Sequence, residues 1–192
     1  MRFLIFTALF CVGGLFGLTA KDKPNVIVIY SDDQGSVDVN CYGSKDLATP
    51  TLDKLAATGV RFTQMYSPSA ICSASRAGLL TGRLPQRAGV PGNISSHKGK
   101  AGLPTEEVIM AEIFKDAGYA TAHIGKWHLG YEPQFNPLEH GWDEFFGYMG
   151  GNVHYFNHRE TSDLHVLFAD DLPVYRDGYM TDLITAASVD FI

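Results

Sequence analysis

With 192 residues, 45% of them hydrophobic and 12% aromatic, the chain holds enough apolar material for one sizeable core, which excludes disorder and tandem small domains. A net charge of −6 excludes a nucleic-acid surface, because phosphate binding needs a surplus of Lys and Arg.

Along the chain, Arg2 is followed by the apolar run Phe3–Leu18 and by the small-residue end Leu18-Thr19-Ala20. That layout predicts a secretory signal peptide over residues 1–20, cleaved after Ala20. As a membrane anchor the run is short of the roughly 20 residues a span needs, and Gly13, Gly14 and Gly17 interrupt it. Cys11 follows Phe10, where a lipoprotein site takes a small residue. No later stretch is long and apolar enough for a stable span, so residues 21–192 are expected to be secreted or periplasmic. Cys41 and Cys72 then remain, and in an exported protein a disulfide between them is one reading. A small, partly buried Cys41 without chemistry is the other.

Val26-Ile27-Val28-Ile29-Tyr30 is a continuous β-branched run, which suits a central parallel strand buried on both faces. Thr49 is placed to cap a helix with Pro50 at its first position and Gly59 at its end. Val60–Met65 alternates roughly and reads as a strand. A second helix is expected from near Ser73 to Gly82. Pro104-Thr105 opens a third, in which Ile109, Met110, Ile113, Phe114 and Ala117 recur at helical spacing before Gly118. Tyr119–Ile124 reads as a strand that delivers Gly125-Lys126-Trp127-His128 at its far end. Residues 133–178 are rich in Gly, Pro, Asn and aromatics and predict long loops, with Phe145-Phe146 and Tyr155-Phe156 as core aromatics. Thr181 is placed to cap a last helix over 182–191.

Alternating strands and helices predict an α/β fold with a largely parallel central sheet flanked by helices. Sites in such folds gather beyond the carboxyl ends of strands. The polar motifs after Tyr30, Tyr66 and Ile124 each follow a predicted strand, so they are expected to meet on one edge of the sheet.

The first motif is Ser31-Asp32-Asp33-Gln34-Gly35. Adjacent carboxylates leaving a buried strand repel each other, and a bound cation relieves that; hard oxygen ligands suit calcium or magnesium. A solvated turn explains the same residues. The second motif, Cys72-Ser73-Ala74-Ser75-Arg76, puts a nucleophile at a helix start, where the dipole and free N–H groups favour an anion, with Arg76 one turn on. That suits a cysteine phosphatase as well as any other enzyme of anionic esters, and a buried cysteine beside a surface arginine is the plain alternative.

Cys72-x-Ala74-x-Arg76 resembles the sulfatase signature, in which Cys or Ser precedes Pro or Ala and then Arg. Leu79-Leu80-Thr81-Gly82-Arg83, Pro24-Asn25-Val26 before Ser31-Asp32-Asp33, and Thr49–Ala56 are similar to sulfatases as well. Gly125-Lys126-Trp127-His128-Leu129-Gly130 resembles the family's second signature. The resemblance implies an alkaline-phosphatase-like fold and a sulfuric ester hydrolase in which Cys72 is oxidised to formylglycine by a formylglycine-generating or anaerobic sulfatase-maturing enzyme. One hydroxyl of the hydrated aldehyde is then implied to attack sulfur and displace the alcohol, and deprotonation of the other to expel sulfate and restore the aldehyde. It further implies that Asp32, Asp33 and residue 72 bind Ca2+, with Mg2+ as the alternative, and that the cation lowers the diol's pKa. Arg76 is implied to hold the diol, Lys126 to contact sulfate, and His128 to accept the diol proton. Asn152 and His154 lie where the family places groups that line the substrate. The implied substrate is a sulfated carbohydrate or an aryl sulfate.

His97, His123, His140, His158 and His165 have no motif support and read as surface or hydrogen-bonded core residues. Family members are longer and bring further metal ligands and a leaving-group acid from later in the chain, so residues 21–192 resemble the N-terminal part of a catalytic domain, truncated at its C-terminus and inactive alone. A metal-dependent phosphatase or phosphodiesterase of the same superfamily is the rival enzyme, although those present Ser or Thr as nucleophile. A non-catalytic anion-binding relative is the rival outside enzymes.

Overall fold

The computed structural model describes residues 23–96 and 99–192. The expected signal peptide, Cys11 and His97 lie outside the described residues. Among the described residues, four α-helices and a four-stranded sheet make an α/β architecture.

Helix α1, Pro50–Thr58, starts where a proline has no N–H to lose. Thr49 bounds it, yet its hydroxyl does not cap the helix. The hydroxyl accepts from the Asn40 amide and meets the Asp53 carboxylate, which in turn accepts from the Cys41 amide. Thr49 therefore stitches the 3-10 turn Asn40–Tyr42 onto α1. Helix α2, Cys72–Thr81, ends as expected at Gly82, whose left-handed backbone (φ 65) lets its amide reach the Gly78 carbonyl. Small residues dominate α2, and it is buried from Ser73 to Gly78.

Helix α3 is shorter than expected: Met110–Asp116, not from Pro104. The Glu107 amide bonds back to the Pro104 carbonyl at 3.1 Å, closing a turn, and Ile109 is extended (φ −110, ψ 168). Glu112 then caps α3 by accepting from the Ile109 amide at 2.8 Å. Helix α4, Met180–Phe191, has Tyr179 at its N-cap. Thr181 thus sits inside the first turn and offers its carbonyl to the Thr185 hydroxyl.

The sheet runs in the order β1 (Ala122–Lys126), β2 (Glu144–Tyr148), β3 (Leu167–Ala169), β4 (Leu172–Pro173). β1 and β2 pair in parallel, with Lys126 opposite Tyr148, and the other two ladders are antiparallel. Parallel pairing is thus confined to β1 and β2 among the described residues. It continues past the strand ends, because the Trp127 and His128 amides donate to the Tyr148 and Met149 carbonyls at 2.9 and 3.2 Å. α4 packs across β1 and β2, and the core joins Ala77 and Leu80 of α2 to Leu103, Ile109, Trp127, Leu129 and Phe145.

Two predicted strands do not form. Val26–Tyr30 has no ladder among the described residues, and Ile29 is 80% exposed. Its alternate residues Val26, Val28 and Tyr30 line a cavity of about 330 Å³, whose far wall includes Ala122, Ile124, Ile184 and Phe191. Among the described residues no strand pairs with the segment, and β-branched composition alone does not make a strand. Val60–Met65 is also unpaired, with Val60, Phe62 and Met65 exposed. Of the aromatics expected in the core, Phe145 is buried, whereas Tyr155 and Phe156 are exposed and meet the Tyr179 ring in front of α4, Phe156 also pairing with the His154 ring.

Candidate functional site

The carboxyl end of β1 delivers Lys126 to the edge of the sheet, where its ammonium bonds the Asp32 carboxylate at 2.9 Å. Arg76, one turn into α2, approaches the same carboxylate at 3.7 Å and donates to the Lys126 carbonyl at 2.7 Å. That carbonyl also accepts from His123 Nε2 at 3.0 Å. The Arg76 guanidinium lies over the Tyr30 ring at 5.6 Å, and the Tyr30 hydroxyl hydrogen-bonds Ser75. Lys126 and Arg76 side chains are 4% and 10% exposed, against 42% for Asp32. A buried cation without a counter-charge is strongly destabilising. Two buried cations here share one half-exposed carboxylate, so neither has a counter-ion of its own and both can turn to an anionic group.

Asp32, Asp33 and Cys72 bring their ligand atoms within 4.8 Å of one another. Asp33 adopts a left-handed backbone (φ 49), an uncommon state for a residue with a side chain and one that concentrates at functional sites. Two hard-oxygen carboxylates fit calcium or magnesium, while a thiol does not. The donor set therefore fits a hard cation on its carboxylate side, position 72 joins it only if it carries oxygen, and these three groups are part of the roughly six to eight oxygens calcium takes. Cys72 and Cys41 are both free, which removes the disulfide reading.

His128 shares the left-handed conformation (φ 55). Its Nε2 donates to the Ile94 carbonyl at 3.1 Å, and its Nδ1 is buried with no hydrogen-bond partner. Burial first, then Lys126 and Arg76, push its pKa down to about 4. At neutral pH the ring is uncharged with a free acceptor, the state a general base needs. Arg76 Nε is likewise buried without a partner.

One loop ties these parts together. Asn93 Oδ1 accepts from the Ser73 amide at 3.1 Å, and the Ile94 amide donates to the Ser73 hydroxyl at 3.0 Å. The start of α2 and the ring of His128 are thus held by the same short segment. Sequence reasoning missed Asn93, Ile94, Tyr30 and Tyr148. Tyr148 faces Lys126 across the ladder, and burial and Asp32 push its phenol up to about 12. None of these four sits in a polar motif, and only the β1–β2 register brings Tyr148 in.

Asn152 and His154 are not gathered with Asp32 and Arg76. They line a second cavity of about 430 Å³ together with Arg159 and Glu160. Asn152 Oδ1 accepts from the Thr161 amide and hydroxyl at 3.1 Å. His154 Nδ1 accepts from the Phe156 and Asn157 amides at 3.2 Å. His158 and His165 bond backbone carbonyls, as expected of core histidines. His140 departs from that reading, since both ring nitrogens are buried without partners.

The Sulfatase family model matches residues 24–192. N-acetylgalactosamine-6-sulfatase of Canis lupus familiaris is 40% identical over 175 residues, covering 87% of this chain and 32% of that protein. The chain thus spans about a third of the length of that curated relative. The crystal structure of Ps i-CgsB superposes with a TM-score of 0.83 at 33% identity, over 88% of this chain and 41% of that one. BT4656, solved in complex with its substrate D-glucosamine-2-N,6-O-disulfate, superposes with a TM-score of 0.67 at 29% identity, over 83% and 29% of the two chains.

Proposed function

The chain belongs to the sulfatase family and spans about a third of a curated relative, and we propose from that premise the hydrolysis of sulfate esters with a formylglycine made from Cys72 and a divalent cation, a reaction for which residues 21–192 alone do not suffice. The observation that carries this reading is the convergence of Lys126 and Arg76 on Asp32, next to Asp33 and Cys72. The substrate class we propose is a sulfated carbohydrate; the names of the N-acetylgalactosamine-6-sulfatase and of the disulfated glucosamine complex support it. A maturing enzyme that oxidises Cys72 and export through the N-terminal signal belong to the same reading.

In this mechanism Asp32, Asp33 and residue 72 hold the cation, calcium by the hardness of its ligands, with magnesium as the alternative. When bound, the cation neutralises sulfate oxygens and favours the ionised nucleophile. The hydrated aldehyde would supply one hydroxyl to attack sulfur, breaking the ester S–O bond and releasing the alcohol, and a second whose deprotonation would break the C–O bond to sulfate and restore the aldehyde. Lys126 contributes its ammonium to the sulfate oxygens, and its bond to Asp32 keeps it in place. Arg76 clamps the Asp32 side of the site through its fork to the Lys126 carbonyl. His128 takes the hydroxyl proton at Nδ1, because its Nε2–H is already committed to Ile94. Asn152 and His154 fit a more distant contact with the sugar, in the second cavity.

Mass spectrometry of the proteolytic peptide bearing residue 72 tests the reading. Expression with a maturing enzyme is expected to lower its mass by about 18 Da relative to the thiol, as loss of sulfur and two hydrogens and gain of oxygen require. An unmodified Cys72 from a maturase-competent host sinks it.

A further inference from the structure

His128 lies against a backbone wall. A Cβ on Gly151 would sit 2.6 Å from its Cε1 and 2.8 Å from its Nε2, so only glycine lets the chain approach this closely. A Cβ on Gly150 would fall 2.0 Å from Glu160 Oε1. The two glycines are therefore wedged between an imidazole and a carboxylate. The Gly151 amide donates to the Tyr131 hydroxyl at 3.1 Å, and that hydroxyl donates to Glu160 Oε1 at 2.7 Å. Glu160 is buried, with the Ser162 hydroxyl on its other oxygen at 3.3 Å. Burial and the Glu160 carboxylate raise the Tyr131 phenol, so it stays protonated and keeps donating.

We propose that Tyr131 and Glu160 are positioning residues for His128: the carboxylate orients the tyrosine hydroxyl, the hydroxyl fixes the Gly151 amide, and the Gly150–Gly151 backbone presses the imidazole onto the Ile94 carbonyl. The ring is then gripped from two sides, by a hydrogen bond at Nε2 and by a glycine wall. One neutral tautomer results, with Nδ1 as the free acceptor. Neither residue touches the reacting atoms; both act through His128, as outer partners orient the ligands and bases of other sites. The consequence for turnover rests on the sulfatase reading, while the geometric claim stands on its own.

Long-range proton–nitrogen spectra of the chain labelled with nitrogen-15 histidine test it without substrate or maturation. The wild type is expected to show His128 as one neutral tautomer protonated at Nε2, assigned by its loss in His128→Gln. Tyr131→Phe is expected to average the two ring nitrogens of His128 while His158 and His165 stay unchanged. Glu160→Gln, whose amide oxygen still accepts from Tyr131, is expected to keep the single tautomer. Retention of that tautomer in Tyr131→Phe, its loss in Glu160→Gln, or an equal change at all histidines overturns the proposal. Should Tyr131→Phe not fold, hydrogen exchange at the wild-type Gly151 amide decides. Protection supports the bond to Tyr131, and exchange at the intrinsic rate overturns it. A single tautomer together with an unmodified Cys72 would leave this inference standing and remove the sulfatase reading.

Discussion

At the scale of single residues, the site is a balance of buried charge. Lys126 and Arg76 are nearly inaccessible and lean on one carboxylate, and the same two cations, after burial itself, depress His128. This has a measurable consequence for stability. The folded-state pKa of His128 falls from 6.5 to about 4, so between those values the unfolded chain binds more protons than the folded one. The contribution is intact above pH 6.5 and is lost as pH falls toward 4. For one such histidine the loss at about pH 5 is about 2 kcal/mol relative to about pH 7.5. His123, pushed down to about 4 chiefly by burial, acts in the same direction. Urea unfolding at the two pH values is expected to show that His128→Gln loses about 2 kcal/mol less than the wild type. Equal losses in both proteins would show that His128 is not buried neutral.

At the scale of elements, what was legible and what was not follow from different physics. Helix α2 was readable within a residue because its signals are local: Gly82 supplies the left-handed stop, and Cys72 and Arg76 sit one turn apart on it. Asp32, Asp33, Cys72, Arg76 and Lys126 were readable for the same reason, since each lies in a compact polar motif, and His128 ends the last of them. β2, β3 and β4 were hidden inside an apparent loop because they are two to five residues long and amid Gly and Pro. Tyr131, Gly151 and Glu160 carry no local signal, and only the folded chain brings them to His128. α2 also yields a test of packing against propensity. A Cβ on Gly78 would lie 2.5 Å from Pro68 Cγ and 3.3 Å from the Arg83 carbonyl. Alanine gains about 1 kcal/mol of helix propensity, but overpacking a buried site costs about 1–3 kcal/mol. The proline ring is stiff, so the clash wins. Gly78→Ala is expected to lower the urea midpoint with an unchanged slope, and a raised midpoint would show that the Pro68 loop yields freely.

At the scale of the whole molecule, one face is finished and the other is open. Phe145, Trp127, Leu129 and Ile109 close a core between α2, α3, β1 and β2. On the other side, Val26–Tyr30 reads as the most strand-like segment in the sequence yet is unpaired, because β-branched composition sets what a segment can do and a partner decides whether it does it. This segment leads into Asp32 and Asp33, so the carboxylate half of the proposed cation site hangs on backbone with no ladder among the described residues, while the Lys126 and Arg76 half is anchored in β1 and the buried α2. Ile27 and Ile29 are exposed, as on an edge that is available for pairing. The two halves are therefore expected to differ in local stability. Hydrogen exchange of the chain is expected to show the amides of residues 26–30 within about tenfold of their intrinsic rates, while the Trp127 amide and those of α2 are slowed more than about 1000-fold. Addition of calcium is expected to slow residues 31–33 without slowing 26–30, because the ion engages the carboxylates and supplies no ladder partner. Slow exchange at residues 26–30 in the ion-free chain would mean that the segment is paired in solution. The cation site would then rest on a strand on both sides.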